Sequence, residues 1–507
     1  MPHPGSDTLA PVDAPGDDRA ARPAEPADAP DPRRWKALAV IAVAQLMVVL
    51  DATIVNIALP SAQRALHVST IDRQWVITAY TLAFGGLLLL GGRIADFIGR
   101  KRMFIVGLIG FGAASALGGL AQDPAMLFGA RALQGAFGAL MAPASLALIT
   151  VTFTEAKERA TAFAVYGAIA GGGSAVGLLL GGILTEYASW RWCLLVNAPV
   201  AVFAAIAGAR LVSESRAAGD RRYDLPGAAS VTLGLVAIVY GFQEAYQSGW
   251  SAASTVALLA AGVALLTVFV AVELRTTHPL LPMRVLADRN RGGSFLGSFM
   301  AGIGLFGMFL FMTYYLQITL GYSALRTGFA FLPFSGAVVL TAGLASKALP
   351  RFGPRPLMAG GFLAGVAGVV WLTQIGVHSS FAAHVLPAEL VMSAGLGFAF
   401  VALSSTALVG VAEHDAGVAS ALVNATQQVG GSLGTALLNT VAASATASYL
   451  ALHGHAAAVV ARGLVHGYAV AFVYAAAFLG IATVAAAVLV RARKEELAAT
   501  EGAVAVA

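Results

Sequence analysis

Charge is the scarcest property of this chain. Its 507 residues include 31 Lys or Arg and 26 Asp or Glu, 11% in all, where a soluble domain carries about 25%. That excludes a large soluble core as the main architecture. Cysteine is nearly absent too. Cys193 stands alone, so no internal disulfide forms and the thiol reads as small apolar packing. The Gly run at 171–173 follows no strand and precedes no Gly-Lys-Ser/Thr, so it is not a phosphate loop. Without an ATP site, energy for work must come from an ion gradient. The nine histidines lie in the tail, loops or span ends, and none pairs with an acid at a metal-ligand spacing; no metal or cofactor is expected. Residues 1–34 have almost no large apolar side chains and cannot offset the entropy of ordering. They read as a disordered tail, with no cleavable signal peptide before the first apolar segment.

What the chain has instead is hydrophobic length. It is 58% hydrophobic, with a mean hydropathy of +0.78. A membrane span takes roughly 20 apolar residues. Fourteen segments qualify: 36–59, 75–95, 103–121, 126–149, 161–184, 192–212, 226–243, 253–274, 294–319, 328–348, 357–376, 385–409, 417–441 and 467–490. With the N-terminus inside, 25 of the Lys and Arg residues fall on the cytoplasmic side, 5 fall outside and Arg131 lies within a span. That bias orients the chain in an inner cell membrane with both termini cytoplasmic. It also explains the net charge of +5 without a nucleic-acid partner.

Two stretches recur. RIADFIGRKRM after span 2 aligns with KALPRFGPRPL after span 10, matching Gly99 with Gly353 and Lys101 with Arg355. Gly-rich span 5 aligns with span 13, matching Gly177 with Gly434. The pattern predicts an all-α membrane protein of two six-helix bundles, 35–212 and 276–491, related by a parallel repeat. A two-helix linker hairpin at 213–275 joins them, with a helix start at Asp224 and Pro226, and 492–507 forms a second tail.

Asp51 is the only acid between Trp35 and Pro60, and an ionised carboxylate in hydrocarbon costs at least ~2.5 kcal/mol. By rise per residue it lies ~13 Å below the outer end of span 1, and Arg131 ~8 Å below that of span 4. The two are within reach. Asp51 is expected to bind the transported proton and Arg131 to tune it; a static ion pair is the competing reading. Asn56 lies ~140° from Asp51 on the helix, so it reads as an interhelical hydrogen bond or a substrate contact. The second half is read as having no charge within its spans, offering an aromatic, weakly polar wall suited to amphipathic molecules. Candidates for the substrate cavity are Tyr80, Gln134, Phe309, Tyr314, Gln317, Asn424 and Gln428. Span 5 carries Gly167, Gly171, Ser174 and Gly181 on one face, where small residues let backbones approach.

At this point several motifs carry a resemblance. LDATIVNIALP (50–60), GRIADFIGRKR (92–102), ARALQGAFGA (130–139), SWRWCLLVNAPV (189–200) and YLQITLGYSALRTGFAFLP (315–333) resemble those of fourteen-helix drug:proton antiporters of the major facilitator superfamily, over roughly 35–491. The loop motif departs from the family at Ile94 and Phe97, and the fifth-helix motif has Gly177-Leu178 where Gly-Pro is usual. The resemblance implies a gating latch built from Gly92, Asp96, Gly99, Arg100, Lys101 and Arg102, and a leak-tight seam along Gly167, Gly171, Gly177 and Gly181. The expected function is export of amphipathic drugs or antibiotic-like metabolites in exchange for protons, by a monomer. The alternatives are a dedicated metabolite exporter or proton symporter of the same fold. A membrane enzyme lacks an in-membrane Ser/His or His/carboxylate cluster, and a sensor lacks a folded output domain.

Overall fold

In hydrocarbon every backbone polar group must be satisfied within its own segment, which leaves helices for a chain of this composition. The computed structural model describes residues 33–153, 155–216, 224–276, 279–281, 283–411 and 416–492. Of the two expected tails only 33, 34 and 492 fall among them, and Arg34 already opens the first helix. Among the described residues, fourteen helices are long and apolar enough to cross a membrane. Spans 1–7 are Arg34–Ala65, Asp72–Ile98, Arg100–Gly119, Pro124–Thr152, Thr161–Tyr187, Trp192–Leu211 and Leu225–Ser248. Spans 8–14 are Ala253–Arg275, Arg289–Thr319, Ala324–Phe352, Pro354–Leu372, Phe381–Leu408, Ala419–His453 and Ala457–Leu489. An even number of crossings returns the chain to its starting side, here the termini end; the other side is the far end.

Helix starts follow local chemistry. Asp123 caps span 4 through the Met126 amide, with Pro124 in the first turn. Asp224 caps span 7 through the Gly227 amide at 2.8 Å, as the Asp-Leu-Pro sequence predicts. The expected loop at 442–466 is the largest departure. Span 13 runs on to His453 and span 14 begins at Ala457, because this Ala-rich stretch favours helix. His453 and His466 both pack on Tyr449 there.

The repeat is visible in backbone geometry. Gly99 (φ 133°) and Gly353 (φ 78°) make the same left-handed turn between spans 2 and 3 and between spans 10 and 11. Gly173 and Gly177 of span 5 back on to Val49 and Thr53 of span 1, while the matching Gly430 and Gly434 of span 13 back on to Phe299 and Ile303 of span 9. At the termini end Arg34 donates twice to Glu158, each at 2.8 Å, and this guanidinium holds the Glu158 carboxyl below its ordinary value.

Spans 2 and 4 approach closely. A methyl at Gly91 would overlap the Ala139 carbonyl, and one at Gly135 the Tyr80 carbonyl. Gly167, by contrast, has nothing within 4 Å of such a methyl. Gly91→Val is therefore expected to destabilise the protein by about 1–3 kcal/mol through overpacking, read as a lower Tm in detergent. Gly167→Ala should leave Tm unchanged or raise it, since Ala exceeds Gly in helix propensity by about 1 kcal/mol.

Candidate transport site

Asp51 and Arg131 meet. The Arg131 Nη1 lies 2.5 Å from Asp51 Oδ2, both side chains being essentially inaccessible to solvent. Two further donors converge on the second carboxylate oxygen: Gln134 Nε2 at 2.8 Å and Asn197 Nδ2 at 2.9 Å. Arg131 is itself held by the Val76 carbonyl at 2.9 Å and by Gln134 Oε1 at 2.8 Å. Its guanidinium lies 4.5 Å from the centre of the Tyr80 ring, a favourable face for a cation. Ser115 accepts from Gln134. Tyr80, Ser115, Gln134 and Asn197, on spans 2, 3, 4 and 6, thus surround the buried charge pair. Breaking such a pair on one side costs about 3–5 kcal/mol.

This corrects two expectations. Tyr80 and Gln134, taken as substrate-cavity candidates, are buried parts of the Asp51 cluster. Asn197 was not singled out, although it lies in the 189–200 motif; its signal is an amide at the buried start of a span. Asn56 donates to the Ala52 carbonyl of its own helix rather than across to another helix.

Other candidates belong to a seal at the far end. Tyr314 donates its hydroxyl to Gln63 Oε1. Arg73 lies over the Tyr314 ring and donates to Asn439 Oδ1 at 3.1 Å. Gln317 Nε2 donates to the Ile57 carbonyl at 3.0 Å, and Glu186 accepts from the Leu325 amide at 2.9 Å. Each contact ties spans 1–6 or their loops to spans 9–14. Phe309 packs between Phe331 and Phe334. Asn424 is exposed toward the termini end of span 13, its Nδ2 3.4 Å from the Ser420 carbonyl, and Gln428 Oε1 has no partner.

The end of span 2 reaches the second half through Arg93, which donates to the Pro279 carbonyl at 3.1 Å, while its other charge is paired within the first half. Asp96 pairs with Arg100 at 2.8 Å. Glu214, beyond span 6, accepts the Lys101 amide at 3.1 Å, lies 3.7 Å from Arg102 and sits against Gly99. An acid at the N-terminus of span 3 is favourably placed for its dipole. A methyl at Gly92 would touch Pro143. The glycine seam is also shifted from expectation. Gly173, Gly177 and Gly181, four residues apart, face span 1, whereas Gly167 packs on nothing; the side of Gly171 lies outside the described residues.

The second half does contain a buried charge-bearing residue. Glu389 of span 12 is completely buried, and neither carboxylate oxygen has a hydrogen-bond partner.

The donors around Asp51 are individually testable. Asn197→Ala removes a hydrogen bond to a charge, worth about 1.5–3 kcal/mol, and should lower apparent stability accordingly. In a double-mutant cycle with Asp51→Asn the two losses should not add, the shortfall exceeding about 0.5 kcal/mol. Additive losses would mean the amide does not serve the carboxylate.

Comparison with known proteins places this geometry. A profile of the Major Facilitator Superfamily matches residues 41–435. The chain is 55% identical over 484 residues to the puromycin resistance protein pur8 of Streptomyces alboniger, covering 94% of this chain and 96% of that protein. It is 38% identical over 417 residues to the cephamycin export protein CmcT of Amycolatopsis lactamdurans, covering 81% and 85%. With the multidrug efflux pump LfrA of Mycolicibacterium smegmatis it shares 33% over 411 residues, 81% of each. A solved bacterial homolog of the human lysosomal transporter Spinster, in an inward-facing and unoccupied conformation, has the same fold, with a TM-score of 0.66 at 15% identity over 93% of this chain and 98% of that one. The chain belongs to the major facilitator superfamily and is a transporter, not an enzyme.

Proposed function

We propose that the chain exports amphipathic, antibiotic-like drugs in exchange for protons. One observation carries the reading: a carboxylate in the first span, cut off from water and held by Arg131, Gln134 and Asn197. While Asp51 is ionised these donors bind spans 1, 4 and 6 together. A proton arriving from outside removes the charge that Arg131 pairs with, weakens the two amide bonds and releases the spans to shift. The Lys and Arg bias sets the termini end in the cytoplasm of an inner membrane. The sealed far end then makes this the inward-facing state, with Asn424 and Gln428 on the drug's path from the cytoplasm. Residues 35–212 and 276–491 act as the two rocking units, 213–275 as their linker, in a monomer. Gly92, Asp96, Gly99, Arg100, Lys101 and Arg102 form the cytoplasmic latch, in which Asp96 pairs with Arg100. At about 2.3 kcal/mol per charge per 100 mV, each inward proton supplies part of the drug gradient. Puromycin and cephamycin, named for relatives of this chain, are the first drugs to try.

In everted vesicles acidified inside, puromycin should collapse the pH gradient through the wild-type chain and not through Asp51→Asn. Wild-type behaviour in Asp51→Asn would make the carboxylate structural. The far-end seal gives a second test. With Cys193→Ser as background, Gln63→Cys paired with Tyr314→Cys should be bridged by a flexible bis-maleimide and lose transport, recovered when the linker is cleaved. Full transport after bridging would exclude separation of these two residues in the cycle.

A further inference from the structure

Glu389 is as buried as Asp51 but has none of its solvation. Both of its carboxyl oxygens lack partners, and an ion left so in hydrocarbon is far costlier than one that is paired. The charged groups on the elements packed against span 12 stand away from it. Arg289 and Arg291 of span 9, Lys347 and Arg351 of span 10 and Arg355 of span 11 lie at the termini ends of their helices, whereas Glu389 is in the far-end portion of span 12; Arg326, at the far end of span 10, is exposed and lies over the Tyr322 ring. Tyr314 gives its hydroxyl to Gln63. Tyr449 and His453 pair with each other at the exposed tip of span 13. His384, five residues before Glu389, lies about 140° around the helix at ~100° per residue.

The internal repeat gives this position a meaning. Val49 and Thr53 of span 1 correspond to Phe299 and Ile303 of span 9 through their glycine partners, so Ala301 stands where Asp51 does. Gly135 of span 4 backs on to the Tyr80 carbonyl and Phe84 amide of span 2, and Gly397 of span 12 in the same way on to the Val338 carbonyl and Ala342 amide of span 10. Span 4 therefore brings a base, Arg131, to the acid of span 1, whereas its counterpart in the second half, span 12, carries a lone acid, Glu389. Leu396 and Leu403, seven and fourteen residues further along span 12, approach Gly365 of span 11 and Gly297 of span 9. The stripe bearing Glu389 thus faces the interior of the second bundle rather than lipid. Two more buried hydroxyls without partners, Thr313 of span 9 and Ser335 of span 10, lie in the same far-end portion.

We infer that Glu389 is a second proton-binding site of the transporter, carrying its proton in this far-end-closed state. The inference rests on the proton-exchange reading above. A proton from water at the opened far end joins the carboxylate, crosses with the conformational change as a neutral acid, and leaves to cytoplasmic water once the drug enters. Exchange then takes one proton at Asp51 and one at Glu389 for each drug molecule.

The test is the thermodynamic limit of puromycin accumulation in proteoliposomes, with the membrane potential clamped at zero and protein-free liposomes correcting for passive distribution of the weak base. Each exchanged proton raises that limit about tenfold per unit of pH gradient. Wild type should reach about 100-fold at a gradient of about one unit, and Glu389→Gln about 10-fold. Should the amide fail to fold, Glu389→Met offers an apolar side chain of similar size with the same expectation. A variant reaching the wild-type limit overturns the second site alone; a wild-type chain that accumulates nothing against the gradient overturns proton exchange and this site together. Infrared difference spectra of the purified protein between acid and alkaline pH need no drug. They should show a protonated-carboxyl band that Glu389→Gln removes and Asp51→Asn leaves, and a band unaltered in Glu389→Gln excludes the site.

Discussion

A charge inside a bilayer must bring its solvent with it. Asp51 does so with side chains from four neighbouring spans: Arg131 and Gln134 on span 4, Asn197 at the head of span 6, Ser115 behind Gln134 on span 3 and Tyr80 beneath the guanidinium on span 2. In water a carboxylate gains and loses a proton with little consequence. Here the solvation shell is the helix packing itself, so neutralising one group alters the preferred arrangement of half the bundle. On the proposed proton exchange, this is what would couple proton binding to conformational change, without any long-range pathway.

The far-end seal shows how such a change is kept in reach. Its polar contacts are single hydrogen bonds and none is an ion pair: Tyr314 to Gln63, Gln317 to a carbonyl, Arg73 to Asn439 and the Leu325 amide to Glu186. The two neutral ones contribute about 0.5–1.5 kcal/mol each and the two that involve a charged group about 1.5–3. A buried ion pair across the same seam would resist opening much more strongly.

Much of this was legible in residue order. Span count, the site of the lone acid in span 1 and the reach of Arg131 all follow from hydropathy and the rise of a helix, because lipid leaves few alternatives. The identity of the remaining partners did not follow. Tyr80, Gln134, Tyr314 and Gln317 look alike as polar or aromatic residues in apolar spans, and only packing sorts the first two to the carboxylate and the last two to the seal. The glycine face was misjudged for a related reason: periodicity gives equally spaced small residues, but not which neighbour stands opposite them, and span 1 stands opposite Gly173, Gly177 and Gly181 rather than Gly167. Glu389 was in plain view within an expected span. It carries no motif and has no basic partner at reach, so attention to ion pairs passes over it, although an unpaired acid in hydrocarbon is the rarer feature.

The departure at Leu178 fits the same picture. A proline there would remove a backbone donor and loosen span 5 one turn earlier. Leu178 keeps the helix intact, is itself fully buried, and sets its carbonyl so near Gly328 of span 10 that a methyl on Gly328 would overlap it. Gly182, one turn further, backs equally closely on to Leu325. Span 5 is therefore flanked by close approaches on both sides, to span 1 through its Gly stripe and to span 10 through Leu178 and Gly182. The contact with span 1 lies within one bundle and the contact with span 10 lies between bundles. A straight, smooth helix at this place can stay packed on span 1 while sliding off span 10, so tightness against leak is provided by backbone proximity and does not require the kink that a proline would introduce.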